Sequence, residues 1–135
     1  MKAVVLVYSD DRTVREDVVN ALGPTLGGVE LEVREAATQA AVLAALTAGV
    51  KDPEDQGIDC CIFDAEATPV GGMGLSKQIR DEYDPCPPVL LLVARPQDSW
   101  LATWSRAEAI HPYPIDPMTL PKQVEDLVFI DEEAA

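Results

Sequence analysis

The stretch Ile58-Asp59-Cys60-Cys61-Ile62-Phe63-Asp64 decides the fold. Residues 58–63 are a short apolar run that follows a polar loop, residues 51–57 with Pro53 inside it, and stops at a carboxylate. A run of this length bounded by turn signals reads as a strand buried on both faces, the kind that a parallel sheet covers with helices. Cys60 and Cys61 are adjacent, so their side chains must leave such a strand on opposite faces. They and Cys86 make three cysteines with no CxxC spacing and no neighbouring His, which reads as buried thiols in a reducing compartment and not as a disulfide framework or a metal site. Asp64 is the unusual residue. A carboxylate that ends a wholly apolar central strand loses hydration, and no capping motif follows it to explain the cost.

Outward from this centre, strand and helix patterns alternate. Towards the N-terminus, residues 2–8 form a Val-rich run stopped by Ser9-Asp10-Asp11, and residues 13–22 place Val14, Val18, Ala21 and Leu22 at helical spacing before Gly23-Pro24. Residues 29–33 alternate apolar with acidic side chains, as an edge strand with one wet face does, and the Ala/Leu-rich residues 38–48 predict a helix ended by Gly49. Towards the C-terminus, a Gly-rich loop over residues 65–72 leads into a helix over 73–83, and Asp84-Pro85-Cys86-Pro87-Pro88 breaks the chain before the apolar strand 89–93. Residues 97–109 read as a fourth helix, 110–115 as a short Pro-interrupted fifth strand, and 116–129 as the last helix, with Asp116 as N-cap and Pro117 as first helical residue.

Five strands alternating with five helices require parallel strands joined by right-handed crossovers, hence an α/β doubly wound sheet with helices on both faces. In its flavodoxin-like variant the strand order is 2-1-3-4-5, and ligands bind outside the carboxyl ends of strands one and three, where the order reverses. Residues 1–130 are expected to form this one domain and residues 131–135 a disordered acidic tail.

The composition excludes more than it names. A net charge of −14 and no Lys/Arg stripe argue against direct nucleic-acid binding. No signal peptide or apolar run of membrane-spanning length is found, so the protein is expected in the cytoplasm with no membrane association.

The predicted topology brings Asp10 and Asp11, just past strand one, to the same crevice as Asp64. Carboxylates packed together repel unless a cation sits between them. Mg²⁺ suits such a place, because it accepts one or two carboxylates, a backbone carbonyl and several waters; Glu66 or Ala65 could supply the carbonyl. Asp10 and Asp11 would equally serve as cap and first-turn acids of the first helix without any metal.

At these residues the sequence resembles the receiver domains of two-component response regulators, from Val4 to about Val128. Ile62-Phe63-Asp64 followed by Pro69 and Gly74 before a helix is similar to the family's aspartate loop, though longer. The resemblance implies that Asp64 takes a phosphoryl group from a histidine kinase with the help of Mg²⁺. Aligned through Val14-Arg15, Ser9 and Asp10 stand where the family's acidic pair usually stands, which favours Asp10 as direct ligand; a shift of one residue makes Asp10-Asp11 the pair.

Two positions depart from the family. A Thr or Ser ends its fourth strand and bonds the phosphoryl oxygen, where this chain has Val93, which lacks the hydroxyl. A Lys before a proline neutralises the phosphoryl charge, where this chain has Tyr113 before Pro114. His111 and Arg95 are candidate substitute cations. The resemblance also implies a cis Tyr113-Pro114 bond. Trp100 and Trp104 share one helical stripe on the face that meets partners in receivers.

The function expected is therefore an atypical single-domain response regulator, not an enzyme, signalling by contact with a protein target or a second copy of itself. Its alternative is a phosphorylation-independent pseudo-receiver. A Mg²⁺-dependent phosphohydrolase or a flavin-binding enzyme on a related sheet is disfavoured, because Ser9-Asp10-Asp11-Arg12 presents acids where a cofactor phosphate needs backbone amides.

Overall fold

A computed structural model describes residues 2–51, 57–83, 85–94 and 105–129. In chain order they form β1 (Lys2–Tyr8), α1 (Arg12–Leu22), β2 (Thr25–Leu26), β3 (Val29–Ala36), α2 (Gln39–Lys51), β4 (Cys60–Asp64), α3 (Gly72–Glu82), β5 (Val89–Val93), β6 (Ala109–Pro112) and α4 (Thr119–Val128). The sheet order is β2-β3-β1-β4-β5-β6. All neighbours are parallel except β2 and β3. Without β2 this is the expected doubly wound, flavodoxin-like order.

Every residue of β4 and β5 is buried, as continuous apolar runs require. Alternate side chains feed two separate cores. Leu6, Tyr8, Cys61, Phe63, Leu91 and Val93 meet Val42 and Leu46 of α2 and Leu75 and Ile79 of α3. Val5, Val7, Cys60, Ile62, Leu90 and Leu92 meet Val18 and Leu22 of α1 and Leu120 and Val124 of α4. Cys60 and Cys61 thus lie on opposite faces, and burial pushes both thiols up, Cys60 to about 12.

The differences from the sequence reading are local. A sixth strand, β2, exists because Gly27 and Gly28, at φ 57° and 82°, make a two-residue turn with the positive φ values that a tight hairpin needs, which lets Leu26 pair with Val29. β3 therefore has an antiparallel neighbour and is not the sheet edge. α2 runs on through Gly49 to Lys51. β6 spans Ala109–Pro112 and is not the expected 110–115, although Tyr113 still donates its N–H to the Val93 carbonyl at 2.9 Å. α4 begins at Thr119, and Asp116 precedes it as a side-chain cap, accepting from the Met118 N–H at 2.8 Å and the Thr119 hydroxyl at 2.8 Å. The helix expected over 97–109 lies outside the described residues up to 104, as do Arg95, Trp100, Trp104 and the tail 131–135. Among the described residues no helix is long and apolar enough to cross a membrane.

Candidate functional site

β1 and β4 are parallel neighbours with Tyr8 opposite Phe63, so Ser9 and Asp64 leave the sheet side by side at its carboxyl edge. The strand order reverses at β1, which makes this the crevice where the fold places ligands. Asp64 is 3% exposed. Both oxygens of its carboxylate are bonded: the Ser9 hydroxyl donates to Oδ2 at 2.7 Å, and the Glu66 N–H donates to Oδ1 at 2.9 Å. The Ser9 oxygen in turn accepts from the Asp11 N–H at 3.0 Å. Short O–H···O⁻ contacts of this kind are charge-assisted, and they offset the desolvation of a buried carboxylate.

The loop after Asp64 is pressed against its own helix. A Cβ on Gly71 would stand 2.9 Å from the Ala65 carbonyl oxygen, and one on Gly72 would stand 2.8 Å from the Asp64 carbonyl oxygen and 2.9 Å from Phe63 Cβ. Only glycine lets α3 start this close to the aspartate. The Tyr8 hydroxyl donates to the Val70 carbonyl at 2.5 Å and ties the same loop to β1. Burial raises the Tyr8 phenol, with Asp10 and then Asp64 adding to the shift.

The remaining acidic residues are engaged elsewhere. Asp11 is the N-cap of α1, its Oδ1 accepting from the Thr13 N–H at 2.9 Å. Asp10 spans to the aspartate loop, where the Thr68 N–H and hydroxyl both donate to it at 3.1 Å. Glu66 holds Asp64 through its amide, and its side chain is exposed. Asp10, Asp11 and Asp64 were expected to meet around one cation; among the described residues no three carboxylate, imidazole or thiol groups stand together as a metal-holding cluster. Helix capping takes one carboxylate and Thr68 takes another. The donors near Asp64 are still hard oxygens, and Mg²⁺ needs only one or two carboxylates when main-chain oxygen and water complete its shell. The residues fit such an ion in kind, provided that it takes over the lone pair now facing Ser9.

No family model matches the chain. Over 126 residues it is 47% identical to an uncharacterized response regulatory protein found in two strains of Mycobacterium tuberculosis, a match covering 92% of this chain and 90% of the relative. The chain belongs to the response regulator receiver family. Its fold agrees with solved receivers. A CheY-like receiver domain protein from Methanospirillum hungatei has a TM-score of 0.74 at 18% identity, each chain covered in full. A receiver domain protein from Clostridium thermocellum has a TM-score of 0.76 at 19% identity, with 98% of this chain and 99% of that one covered.

In this receiver the residues expected at the altered switch positions flank Asp64 from the next strands. Val93 ends β5, is 2% exposed, and packs into the core on the α2 and α3 side. Tyr113 directly follows β6 and is joined to Pro114 by a cis bond; a second cis bond, Thr68-Pro69, lies in the aspartate loop. The Tyr113 hydroxyl oxygen is buried. Burial pushes its phenol strongly up, and Asp64 adds to the shift both as a charge and as a hydrogen-bond partner, ahead of Glu66 and Asp11.

The His111 ring bonds to α4 and to the loop before it. Its Nε2 accepts the Asp116 N–H at 3.1 Å, and its Nδ1 stands 2.8 Å from Gln123 Oε1. The ring is thereby tied to α4. Sequence reasoning passed over Arg15, whose guanidinium donates to the Ser9 carbonyl at 2.6 Å and to Glu35 at 3.1 Å. Its place three residues into α1, on the side turned to β3, is the only signal the sequence offers for that.

Proposed function

We propose that this receiver takes a phosphoryl group on Asp64 and passes the resulting state to a protein target by direct contact. The observation that carries the reading is one buried carboxylate, bonded at both oxygens, at the crevice where the parallel strands reverse order. In the step, an Asp64 oxygen forms a bond to phosphorus while the bond from phosphorus to the donor group breaks, the donor leaving with the electron pair. Hydrolysis later restores the free carboxylate and releases phosphate.

A histidine kinase is the donor that the family implies. Mg²⁺, held by Asp64 with Asp10 or Asp11 and a carbonyl from Glu66 or Ala65, supplies charge neutralisation for the transferring group when bound. Ser9 would then exchange its bond to Asp64 for one to a ligand oxygen or water. With Val93 and Tyr113 at the switch positions the phosphorylated state loses one hydrogen bond and one charge, each worth about 1.5–3 kcal/mol, so phosphorylation is slow or weakly consequential. Residues 1–130 act as a single cytoplasmic signalling unit, with the tail 131–135 outside it, and the net charge of −14 argues against direct contact with nucleic acid. Trp100 and Trp104 are assigned to the partner surface, whether the partner is another protein or a second copy of the chain.

A second reading is favoured by the Ser9 hydroxyl itself, which already satisfies the aspartate in the resting protein. On that reading the module binds its partner with no phosphoryl transfer. Titration with Mg²⁺ and beryllofluoride, followed by Trp fluorescence, separates the two. A saturable change in the wild type that is abolished in Asp64→Asn supports phosphorylation. No change, in a folded protein that still binds a partner, supports the second reading.

A further inference from the structure

Thr68, in the loop between Asp64 and α3, grips Asp10 with both of its donors. Its N–H donates to Oδ1 and its hydroxyl to Oδ2, each at 3.1 Å, so both oxygens of this carboxylate face one residue of the aspartate loop. The contact spans 58 residues of chain and lies at the surface, where water competes for the same atoms and neutral bonds are easily exchanged. Of the two acids that follow β1, Asp11 accepts from the Thr13 N–H as the N-cap of α1. Drawing Asp11 towards Asp64 would uncap a helix, whereas drawing Asp10 there costs only its two exposed bonds to Thr68. A hard divalent cation wants a carboxylate oxygen for its shell, and a neutral N–H and hydroxyl compete with it for the same lone pairs.

We propose that Thr68 is a latch: in the resting protein the aspartate loop occupies Asp10, and a divalent cation has to displace Thr68 from it, so that loading the ion releases the Thr68 part of the loop. The inference rests on the reading of Asp64 as phosphoacceptor with Mg²⁺ beside it. A second tie confines the change, because the Tyr8 hydroxyl holds the Val70 carbonyl at 2.5 Å without involving either partner of the latch. The device also gives the occupied site a route to the surface. Val93 offers no hydroxyl at the end of β5, whereas Thr68 is exposed on the segment that joins Asp64 to α3.

The probe is Mg²⁺ alone, its affinity measured by calorimetry and the exchange of the Thr68 amide followed by NMR. Thr68→Val keeps the shape and the N–H and removes the hydroxyl, and it is expected to tighten Mg²⁺ binding by about three- to tenfold, the scale of one net hydrogen bond. Thr68→Ser, which keeps the hydroxyl, is expected to bind as the wild type does. In the wild type, Mg²⁺ is expected to speed exchange of the Thr68 amide, the opposite of what an ion does to a segment that it orders. The gain from Thr68→Val should vanish when Asp10→Asn is combined with it, since the two changes then act on one contact. Unchanged or weaker affinity in Thr68→Val, an equal gain in Thr68→Ser, a gain that survives Asp10→Asn, or a Thr68 amide that Mg²⁺ leaves unchanged or slows overturns the latch and leaves Asp64 as acceptor. No saturable Mg²⁺ binding by the wild type and Thr68→Val alike overturns both.

Discussion

Ser9 and Asp64 form the contact on which the resting site depends. A hydroxyl at 2.7 Å from a carboxylate oxygen with 3% exposure for the aspartate is a charge-assisted bond in a dry place, worth about 1.5–3 kcal/mol. Ser9→Ala is therefore expected to lower unfolding stability by about 2 kcal/mol at neutral pH, read by urea denaturation, because it leaves one oxygen of a buried charge unpaired. Gly72 is a harder constraint. Its missing Cβ would fall 2.8 Å from the Asp64 carbonyl oxygen, which is backbone and cannot swing aside, so Gly72→Ala is expected to cost about 1–3 kcal/mol in the same measurement. Gly74, with nothing within 4 Å of an added Cβ, is the control, and Gly74→Ala should raise stability by up to about 1 kcal/mol, because it removes a helical glycine without a clash. Asp64 itself was legible in the sequence, since a carboxylate closing an apolar run is a visible anomaly. Its partner was not. A serine in a loop carries no pattern, and the bond spans 55 residues of chain. Likewise Tyr113 was placed near Asp64 only through the family resemblance, and the burial of its hydroxyl needed coordinates.

The elements follow the sequence wherever one signal acts alone. Continuous apolar runs gave β1, β4 and β5, and Asp11 begins α1 as a side-chain cap. Asp11→Ala should reduce stability by about 1 kcal/mol, the usual worth of such a cap, with the loss seen first as faster amide exchange in residues 12–15. The elements were misread where two signals compete. Gly49 predicts a helix end, yet α2 continues to Lys51, since one glycine weakens a helix and does not by itself end it. Pro112 and Pro114 remove N–H donors from the last strand, so β6 stops at Pro112. Gly27-Gly28 made a hairpin that a search for long periodic runs passes over, because the strand it creates has two residues. The carboxylate cluster was read from topology alone, and topology does not say that Asp10 turns to Thr68 while Asp11 turns to the helix.

At the scale of the molecule, two cores on either face of one sheet bury Cys60 and Cys61 completely. Burial pushes Cys60 from 9.0 to about 12 and Cys61 well above its ordinary value. A thiol whose value is raised on folding contributes no pH dependence below about pH 9, and its contribution to stability falls as pH rises from there through about 12, because the unfolded chain ionises first. Thermal melts should show that alkaline decline, and Cys60→Ala should flatten it. For the same reason native protein should react with a thiol reagent at Cys86, which is half-buried, well before Cys60 or Cys61, as peptide mapping of the labelled chain would show.

The central claim, that Asp64 is the acceptor around which this receiver is built, is tested most directly by intact-mass spectrometry after incubation with acetyl phosphate and Mg²⁺. A single phosphoryl increment is expected on the wild type, lost on mild alkaline treatment as an acyl phosphate is, and absent from Asp64→Asn. An unmodified wild type, or an increment that persists in Asp64→Asn, would contradict it.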